Sequence, residues 1–532
     1  MAGDDADGPA ASTGADGATD DENPIWTVAE GAGFVFGGRI VKLSLAFVIQ
    51  IVMARLLGAT SYGGIVLATT VVGIAGTIGG LGIGGGLTRK LPLYEDDTAR
   101  ARGVVRASFT IGLLGRSVAA LVLIVAAPFV ATRLFADPDV AVLIQIAAVG
   151  LPLGTIAGLS LGTTRSLRDA RPNVLVNHII SPVAKFTFIS ALLLAGLGAV
   201  GAIAGRVLAQ AVGSVVAVYL AYRFLPFSIR GAAERMHREL LEFSLPLMLS
   251  SGMVLVIGQT DTFLLGIFLA SGDVGVYNAA FNLQEIGFFF LYPVSFLLPP
   301  ILTRLQTEDE PEDIRRTYQI ATKWMGLSTV PLFLLVFLFP AVVINVSFGQ
   351  KFVAGETALR VLMLAPLVSV LLGANGRALV ALGHNTVNMY VNTATAALNV
   401  ALNVALIPAF GILGAAIASA GSFVFRDVVY TVILYRRHGV VPFSEALVKP
   451  VAGVAVLVPV GYYLFVSLFP VRFLTVTVVG LLFLVVYAVL LLRLGAVEDE
   501  DVEVLHRFEE SAGVDLARVR ALAKRLRGAS TR

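Results

Sequence analysis

Five basic residues, Arg39, Lys42, Arg116, Lys185 and Arg206, fall in the interior of the first six long apolar runs of this chain, with no Asp or Glu among them. At roughly 2.5–3.5 kcal/mol per buried cation, five lipid-facing ones would cost on the order of 12 kcal/mol or more. Most must therefore line a polar space, find a partner or snorkel to an interface. Arg39 and Arg206 lie five to eight residues from the ends of their runs, which leaves snorkelling or structural pairing open to them. Lys42, Arg116 and Lys185 lie deeper. Unpaired cations around a central cavity would suit an anion such as a phosphate or diphosphate.

The second half carries the complement. In GQTDTFLLGIFLASGDVGVYNAAFNLQEIGFFF two apolar segments meet at an ASGDVG turn, and Asp261 and Glu285 stand almost equally far from it. In two helices these carboxylates would share a depth, roughly 15 to 18 Å from the turn. Each needs a cavity or a cation, as an ion pair across the halves or as a proton or sodium site that couples transport. Arg377 is a third charge with a coupling or gating role in this reading, whereas neighbouring Arg426 and Asp427 read as a local pair. Asn388, Asn392, Asn399 and Asn403, at offsets of 0, 4, 11 and 15, fall on one helical stripe, able to bind neighbouring helices or the hydroxyls of a sugar.

Other chemistries find little support. The absence of cysteine removes disulfides, Cys zinc sites and thiol catalysis. There is no GxxxxGK[ST] and no HExxH, and the five histidines are scattered. Asp137-Pro138-Asp139 matches the DxD metal motif of membrane glycosyltransferases, but only over three residues, and no soluble acceptor-binding domain accompanies it. Asn345-Val346-Ser347 is a glycosylation sequon that abuts an apolar run.

The elements that would position these residues are membrane helices. The 532 residues are 57% hydrophobic and 14% charged, far from the soluble average. About 14 runs reach spanning length, near 34–53, 62–87, 107–131, 139–163, 174–195, 199–222, 243–269, 275–301, 324–347, 357–382, 387–407, 411–434, 447–469 and 473–494. The short loops between them alternate in charge, with 19 Lys and Arg on one side against four on the other, so the expectation is a cell-membrane protein with both termini cytoplasmic. RLLGATSYGGIVLAT, from Arg55, echoes GIFLASGDVGVYNAAF, from Gly266, as a faint internal repeat. A parallel repeat of this kind places a path between two halves. The expected organisation is all-α: an acidic disordered tail at 1–30, a six-helix lobe at 31–224, a cytoplasmic linker at 225–242, a second six-helix lobe at 243–436, two additional helices at 437–495 and an amphipathic tail at 496–532. Residues 1–24 hold seven acids and no base, so they lack the basic and apolar regions of a cleavable leader.

A resemblance adds to this reading. IVMARLLGATSYGGIVLATTVVGIAGTIGGLGIGGGLTRKLP resembles the first hairpin of the Wzx-like polysaccharide-biosynthesis flippases, in the multidrug/oligosaccharidyl-lipid/polysaccharide exporter superfamily. QTDTFLLGIFLASGDVGVYNAAFNLQE is similar to that family's seventh and eighth helices. FGQKFVAGETALRVLMLAPLVSVLLGANGRALVALG and LNVALNVALIPAFGILGAAIASA are similar to its ninth-to-twelfth region. The resemblance implies two pseudo-symmetric lobes around a cavity and alternating access that carries a polyprenyl-linked oligosaccharide to the outer leaflet. It matches Asp261, Tyr277, Asn399 and Asn403. It implies a transporter rather than an enzyme, with no cofactor beyond a coupling Na+ or H+. The partners would be the lipid-linked substrate, membrane lipids and glycan-assembly enzymes, not nucleic acid. The rivals are a cation-coupled drug exporter of the same fold, a membrane glycosyltransferase and a non-transporting scaffold.

Overall fold

A straight helix of 56 residues would run about 84 Å, almost three bilayer cores, and the first helix of this chain avoids that at one glycine. The structure is a computed structural model that describes residues 24–94, 96–167, 171–225, 227–228, 230–494 and 496; the side chains of 24–41 and 249–257 also lie outside the described set. The expected tails therefore fall almost wholly outside it. Helix α1 (Pro24–Gly79) doubles back at Gly58, whose φ of 77° and ψ of 176° suit glycine alone. Tyr62 Oη lies 3.2 Å from Gln50 Oε1 as a result, although a straight helix would separate residues 50 and 62 by roughly 18 Å.

The first lobe continues with α2 (Ile83–Lys90), α3 (Thr98–Phe129), α4 (Val140–Ser166), α5 (Arg171–Val174), α6 (Ser181–Leu194) and α7 (Gly198–Phe224). α8 (His237–Ile257) and α9 (Thr260–Phe268) follow across a short break, then α10 (Ser271–Gln284) and α11 (Leu291–Thr307). The second lobe is completed by α12 (Pro311–Leu338), α13 (Pro340–Ser347), α14 (Glu356–Leu372), α15 (Asn375–Ala381), α16 (Asn385–Phe410) and α17 (Ile412–His438). α18 (Glu445–Leu468) and α19 (Phe473–Arg493) lean on α12. No strand occurs among the described residues. Length and apolar composition single out 11 membrane-crossing helices among them, or up to 12 if the pair around the 44° bend between α10 and α11 is one span. That count takes α1 as one span and omits α8 with α9, so it stays below the fourteen runs read from the sequence.

The two lobes share one core at the end where basic residues are few. Ile49, Tyr62 and Leu67 of α1 and Ile144 of α4 pack in the same buried cluster as Leu265, Tyr277, Phe348 and Leu362. Toward the Arg-rich end the cores separate: Ile83, Leu87, Val104 and Leu159 form one, and Leu302, Tyr318, Leu379 and Leu434 another. The lobes thus meet at the Arg-poor end and part toward the other.

Two glycines make that meeting close. A Cβ on Gly63 would lie 1.7 Å from the Ser271 carbonyl oxygen, and one on Gly275 would lie 2.2 Å from that of Ala59. Each glycine stands four residues beyond the carbonyl its own helix offers, so the contact is a pseudo-twofold pair of backbones without side chains between them. Polar ties surround it. Arg55 donates to the backbone carbonyls of Asn345, Val346 and Ser347 at the end of α13, and Ser271 donates to Asp137. Tyr62 Oη lies 3.0 Å from Asn278 Oδ1 and accepts from Asn282 at 3.3 Å.

One boundary differs from expectation. The second lobe was to begin at residue 243, yet α8 packs on α1, α2 and α3. Met236 and Leu240 join the first-lobe core, and Gly82 and Gly86 press against Ser244. Lys90 Nζ reaches Glu239 at 2.6 Å, and this hydrogen bond, with one from Tyr94, holds the Glu239 carboxyl below its ordinary range. Small residues on α2 let α8 approach, so the chain changes lobe at residues 258–259 rather than in the linker.

At the Arg-rich end of the second lobe, His384 Nε2 lies 2.9 Å from His438 Nε2, and Arg437 Nη1 lies 3.0 Å from His384 Nδ1. Desolvation, and then Arg437, lower the His384 pKa. The neutral form is favoured by folding, so this contribution is present above the unfolded value near 6.5 and is lost below it, as pH falls through the lowered folded value. The melting temperature should fall between about pH 8 and about pH 5.5, and His384→Gln should flatten that slope. Gly63→Ala should lower the melting temperature by several degrees through overpacking, whereas Gly158→Ala, with nothing within 4 Å of the new Cβ, should leave it unchanged or raised.

Candidate functional site

In the first lobe α1, α3, α4 and α7 enclose a cavity of about 220 Å³, and two of the sequence-identified cations, Arg116 and Arg206, line it together. Arg116, on α3, is half-buried and already engaged. Its Nε donates to the Gly76 carbonyl at 3.0 Å and its Nη1 to Thr155 Oγ1 at 3.5 Å, so it braces the end of α1 while facing the cavity. Arg206 has no hydrogen bond or ion pair among the described residues. It stands on the face of α7 opposite the exposed apolar stripe of Leu208, Val212 and Val215, and the surface it exposes is turned inward. Lys185, on α6, is partly buried and within electrostatic range of both Arg206 and Lys42. Lys42 is exposed. The fold thus gathers Lys42, Arg116, Lys185 and Arg206 into one region of one lobe; the Arg39 side chain lies outside the described residues. No ion pair neutralises any of these four among the described residues.

The second lobe holds the opposite charge in a different setting. Asp261, in the first turn of α9, accepts from Asn403 at 2.6 Å, from Tyr277 at 3.1 Å and from Ser419. Asn399 is a further hydrogen-bond partner. Four helices, α9, α10, α16 and α17, therefore converge on one carboxylate, and among the described residues no cation pairs with it. The Oδ1 atoms of Asn399 and Asn403 are buried beside it without partners among the described residues. Such acceptor oxygens around a carboxylate form a donor set that a small hard cation, or a proton on Asp261, would satisfy.

Glu285 is not part of this box. It is exposed at the 3-10 turn between α10 and α11 and accepts from Tyr292 at 2.8 Å. The two acids do not share a site because α9 enters the second lobe while the turn at Glu285 bends out of it. Arg377 is exposed on α15. All four asparagines of the stripe are turned inward on α16: Asn388 meets Tyr430 at 2.5 Å, Asn392 is half-buried, and Asn399 and Asn403 are buried. Arg426 donates to Asp427 at 2.9 Å, and Asp427 also accepts from Ser369. Asp137 is tied to Ser271 across the lobes, and Asp139 begins α4.

Two parts of the site escaped the sequence reading. Gln210, one turn beyond Arg206, lines the first-lobe cavity and lies along Gly150 and Gly154, where a Cβ would come within 2.7 and 2.3 Å of its amide. Its i, i+4 spacing from Arg206 was the available signal. An apolar cavity of about 1090 Å³ also runs between α12, α13, α18 and α19, reaching Ile286 and Phe289 beside Glu285. Its wall of Leu, Val and Phe is indistinguishable in sequence from a lipid-facing surface.

Two helical lobes joined at one end, with charged groups inside a membrane-spanning bundle, define a two-lobed polytopic membrane protein. Residues 28–306, more than half of the chain, match the family described as Polysaccharide biosynthesis protein, and the chain belongs to that family. Residues 246–405 also match MatE. A probable low-salt glycan biosynthesis flippase, Agl15 of Haloferax volcanii, is 28% identical over 170 residues, 32% of this chain and 36% of that protein. The chain thus aligns with little more than a third of this relative's length. The lipid III flippase of Escherichia coli is 24% identical over 78% of this chain and 98% of its own. Among solved structures, the lipid II flippase MurJ in an inward closed conformation superimposes with a TM-score of 0.67 at 13% identity, covering 87% of this chain and 98% of that one. An inward-facing multidrug resistance MATE transporter gives 0.60 at 16% identity over 75% and 98%. These structural likenesses establish the fold.

Because Tyr277, Asn403 and Ser419 each spend a polar group on Asp261, Asp261→Leu would strand several buried partners at about 1–3 kcal/mol each. Asp261→Asn should purify as a folded protein with a melting temperature close to wild type, and Asp261→Leu should melt several degrees lower.

Proposed function

We propose that this chain is a flippase that moves a polyprenyl-phosphate- or diphosphate-linked oligosaccharide from the cytoplasmic to the outer leaflet by alternating access, for assembly of a cell-surface polysaccharide or glycoprotein. The observation that carries this reading is the acid-free cluster of Lys42, Arg116, Lys185 and Arg206 in the first lobe, whose positive field suits a lipid phosphate. Family membership and the named activities of Agl15 and the lipid III flippase agree with it. The 19 to four distribution of basic residues supports an orientation with the Arg-rich end and both termini in the cytoplasm. The parted end of the lobes then faces the cytoplasm, where the substrate is made available. In this state the sugars enter between the lobes, the first-lobe cations hold the phosphate, and the apolar cavity beside α18 and α19 accommodates the isoprenoid chain.

Asp261 is the candidate coupling residue. A Na+ held by Asp261, Asn399 and Asn403, or a proton on Asp261, would neutralise the carboxylate. The side chains of Tyr277 and Ser419 keep it oriented toward α16 and α17. Substrate release would follow from re-pairing of the lobes at the Arg-rich end, which must accompany loss of the Arg55, Asp137 and Gly63 contacts at the other. No step requires bond chemistry by the protein, so the reading is a transporter without enzymatic activity.

A cation-coupled exporter of small molecules is the second reading, favoured by the match of residues 246–405 to MatE. It calls for an apolar or anionic pocket for cationic compounds, and the first-lobe cluster has the wrong sign.

The test is the leaflet distribution of lipid-linked oligosaccharide in cells lacking the gene. Inner-leaflet accumulation rescued by wild type, but at least tenfold less by Lys42→Ala/Lys185→Ala at equal membrane abundance, supports the reading. An unchanged distribution in cells without a second flippase refutes it.

A further inference from the structure

Glu285 is the intramembrane charge that neither lobe's site absorbs. From Val274 to Gln284 no residue of α10 is exposed, so this helix presents no open stripe to lipid. Its polar residues Asn278 and Asn282 point at Tyr62 on the second arm of α1. Glu285 stands seven residues beyond Asn278, within about 20° of it at 100° per residue. The same stripe thus runs from the lobe junction into the space where the lobes part, and its first exposed side chain is a carboxylate. A bare carboxylate is costly in hydrocarbon but is solvated in a cleft. Tyr292 donates to Oε2 at 2.8 Å, which orients the carboxylate and leaves Oε1 able to accept. No cation pairs with Glu285 among the described residues. The next residue, Ile286, already lines the apolar cavity beside α18 and α19. Glu285 therefore marks the boundary between the cleft and that cavity.

We propose that Glu285 selects the sugar nearest the isoprenoid chain, accepting from the hydroxyl or amino groups of a neutral or basic sugar and rejecting an acidic one. This rests on the flippase reading and narrows its substrate class. An O–H or N–H given to a carboxylate forms a charge-assisted hydrogen bond, stronger than one to a neutral acceptor. A uronate at the same place brings a second negative charge into a partly desolvated surround, where repulsion is weakly screened. Discrimination by an unfavourable contact needs no new attractive one. Tyr292 is a positioning residue, acting through the carboxylate that it orients.

Purified full-length protein is titrated with three radiolabelled short-chain polyprenyl diphosphates, one bare, one carrying a single glucose and one a single glucuronate. Wild type should bind the glucose lipid roughly tenfold more tightly than the glucuronate lipid. Glu285→Gln should bring the two within about twofold of each other, without weakening the bare lipid. Glu285→Asp, which keeps the charge, should retain the preference, and Tyr292→Phe should narrow it. A wild type without the preference, or a preference that survives Glu285→Gln, overturns the subsite. An equal loss for all three lipids in Glu285→Gln assigns the residue to packing and overturns it too. Leaflet distribution of the cell's own lipid-linked glycan is followed in parallel. A Glu285-dependent preference in a protein whose loss leaves that distribution unchanged sinks the flippase reading alone; a changed distribution with no preference sinks the subsite alone.

Discussion

The contact on which the arrangement depends is the approach of two helix backbones at Gly63 and Gly275. With a carbonyl of each hairpin resting on the other's glycine, the second arm of α1 and α10 come together without intervening side chains. The surrounding core and the Arg55, Asp137 and Tyr62 ties are placed by that approach. Backbone contact of this kind is short-ranged and has no lipid-driven counterpart, since hydrocarbon is as apolar as the helices it surrounds. At the other end the separate cores leave the lobes free to part.

The expense of charge in a membrane organises the rest. The first lobe answers it by placing its cations around shared space: Arg206 is turned away from lipid, Arg116 is tied to a helix terminus, and Lys185 sits in the same field. The second lobe answers it by hydrogen bonding, with Tyr277, Asn403 and Ser419 donating to Asp261 and Asn399 as a further partner. The two solutions differ in what they leave available. The Arg206 guanidinium donates to no partner among the described residues, whereas the Asp261 carboxylate is boxed by donors from three helices. Opposite charges therefore remain in separate lobes instead of cancelling across the interface.

α8 complicates a simple division into halves. It belongs to the second repeat in chain order and packs with the first lobe. The break at residues 258–259 is thus where the chain passes between bodies. Gln259, in that break, lies against Gly73 on the cavity wall, and Asp261 follows two residues later. The anionic and cationic sites are neighbours along the backbone at the crossing point, though their side chains occupy different lobes.

Much of this was legible in the chain itself. Apolar runs, their length and the alternation of basic loops determine an all-helical, two-lobed membrane protein, because transfer to hydrocarbon depends on composition and length more than on neighbours. The intramembrane charges could be named for the same reason, and the asparagine stripe followed from helical period. Which charges share a site was a tertiary matter. Asp261 and Glu285 are symmetric about a turn, yet one is boxed and the other exposed, because the bend after α10 is set by packing and not by spacing. Arg206 and Arg116 lie 90 residues apart and became wall-mates only when α7 and α3 were laid beside α4. The doubling back at Gly58 was expected from the two runs on either side of it, whereas the packing of α8 on the first lobe and the cavity beside α18 depend on which surfaces meet. Local chemistry settles what each segment is. Contact between segments, which hydrophobicity alone does not specify inside a bilayer, settles where its side chains can act.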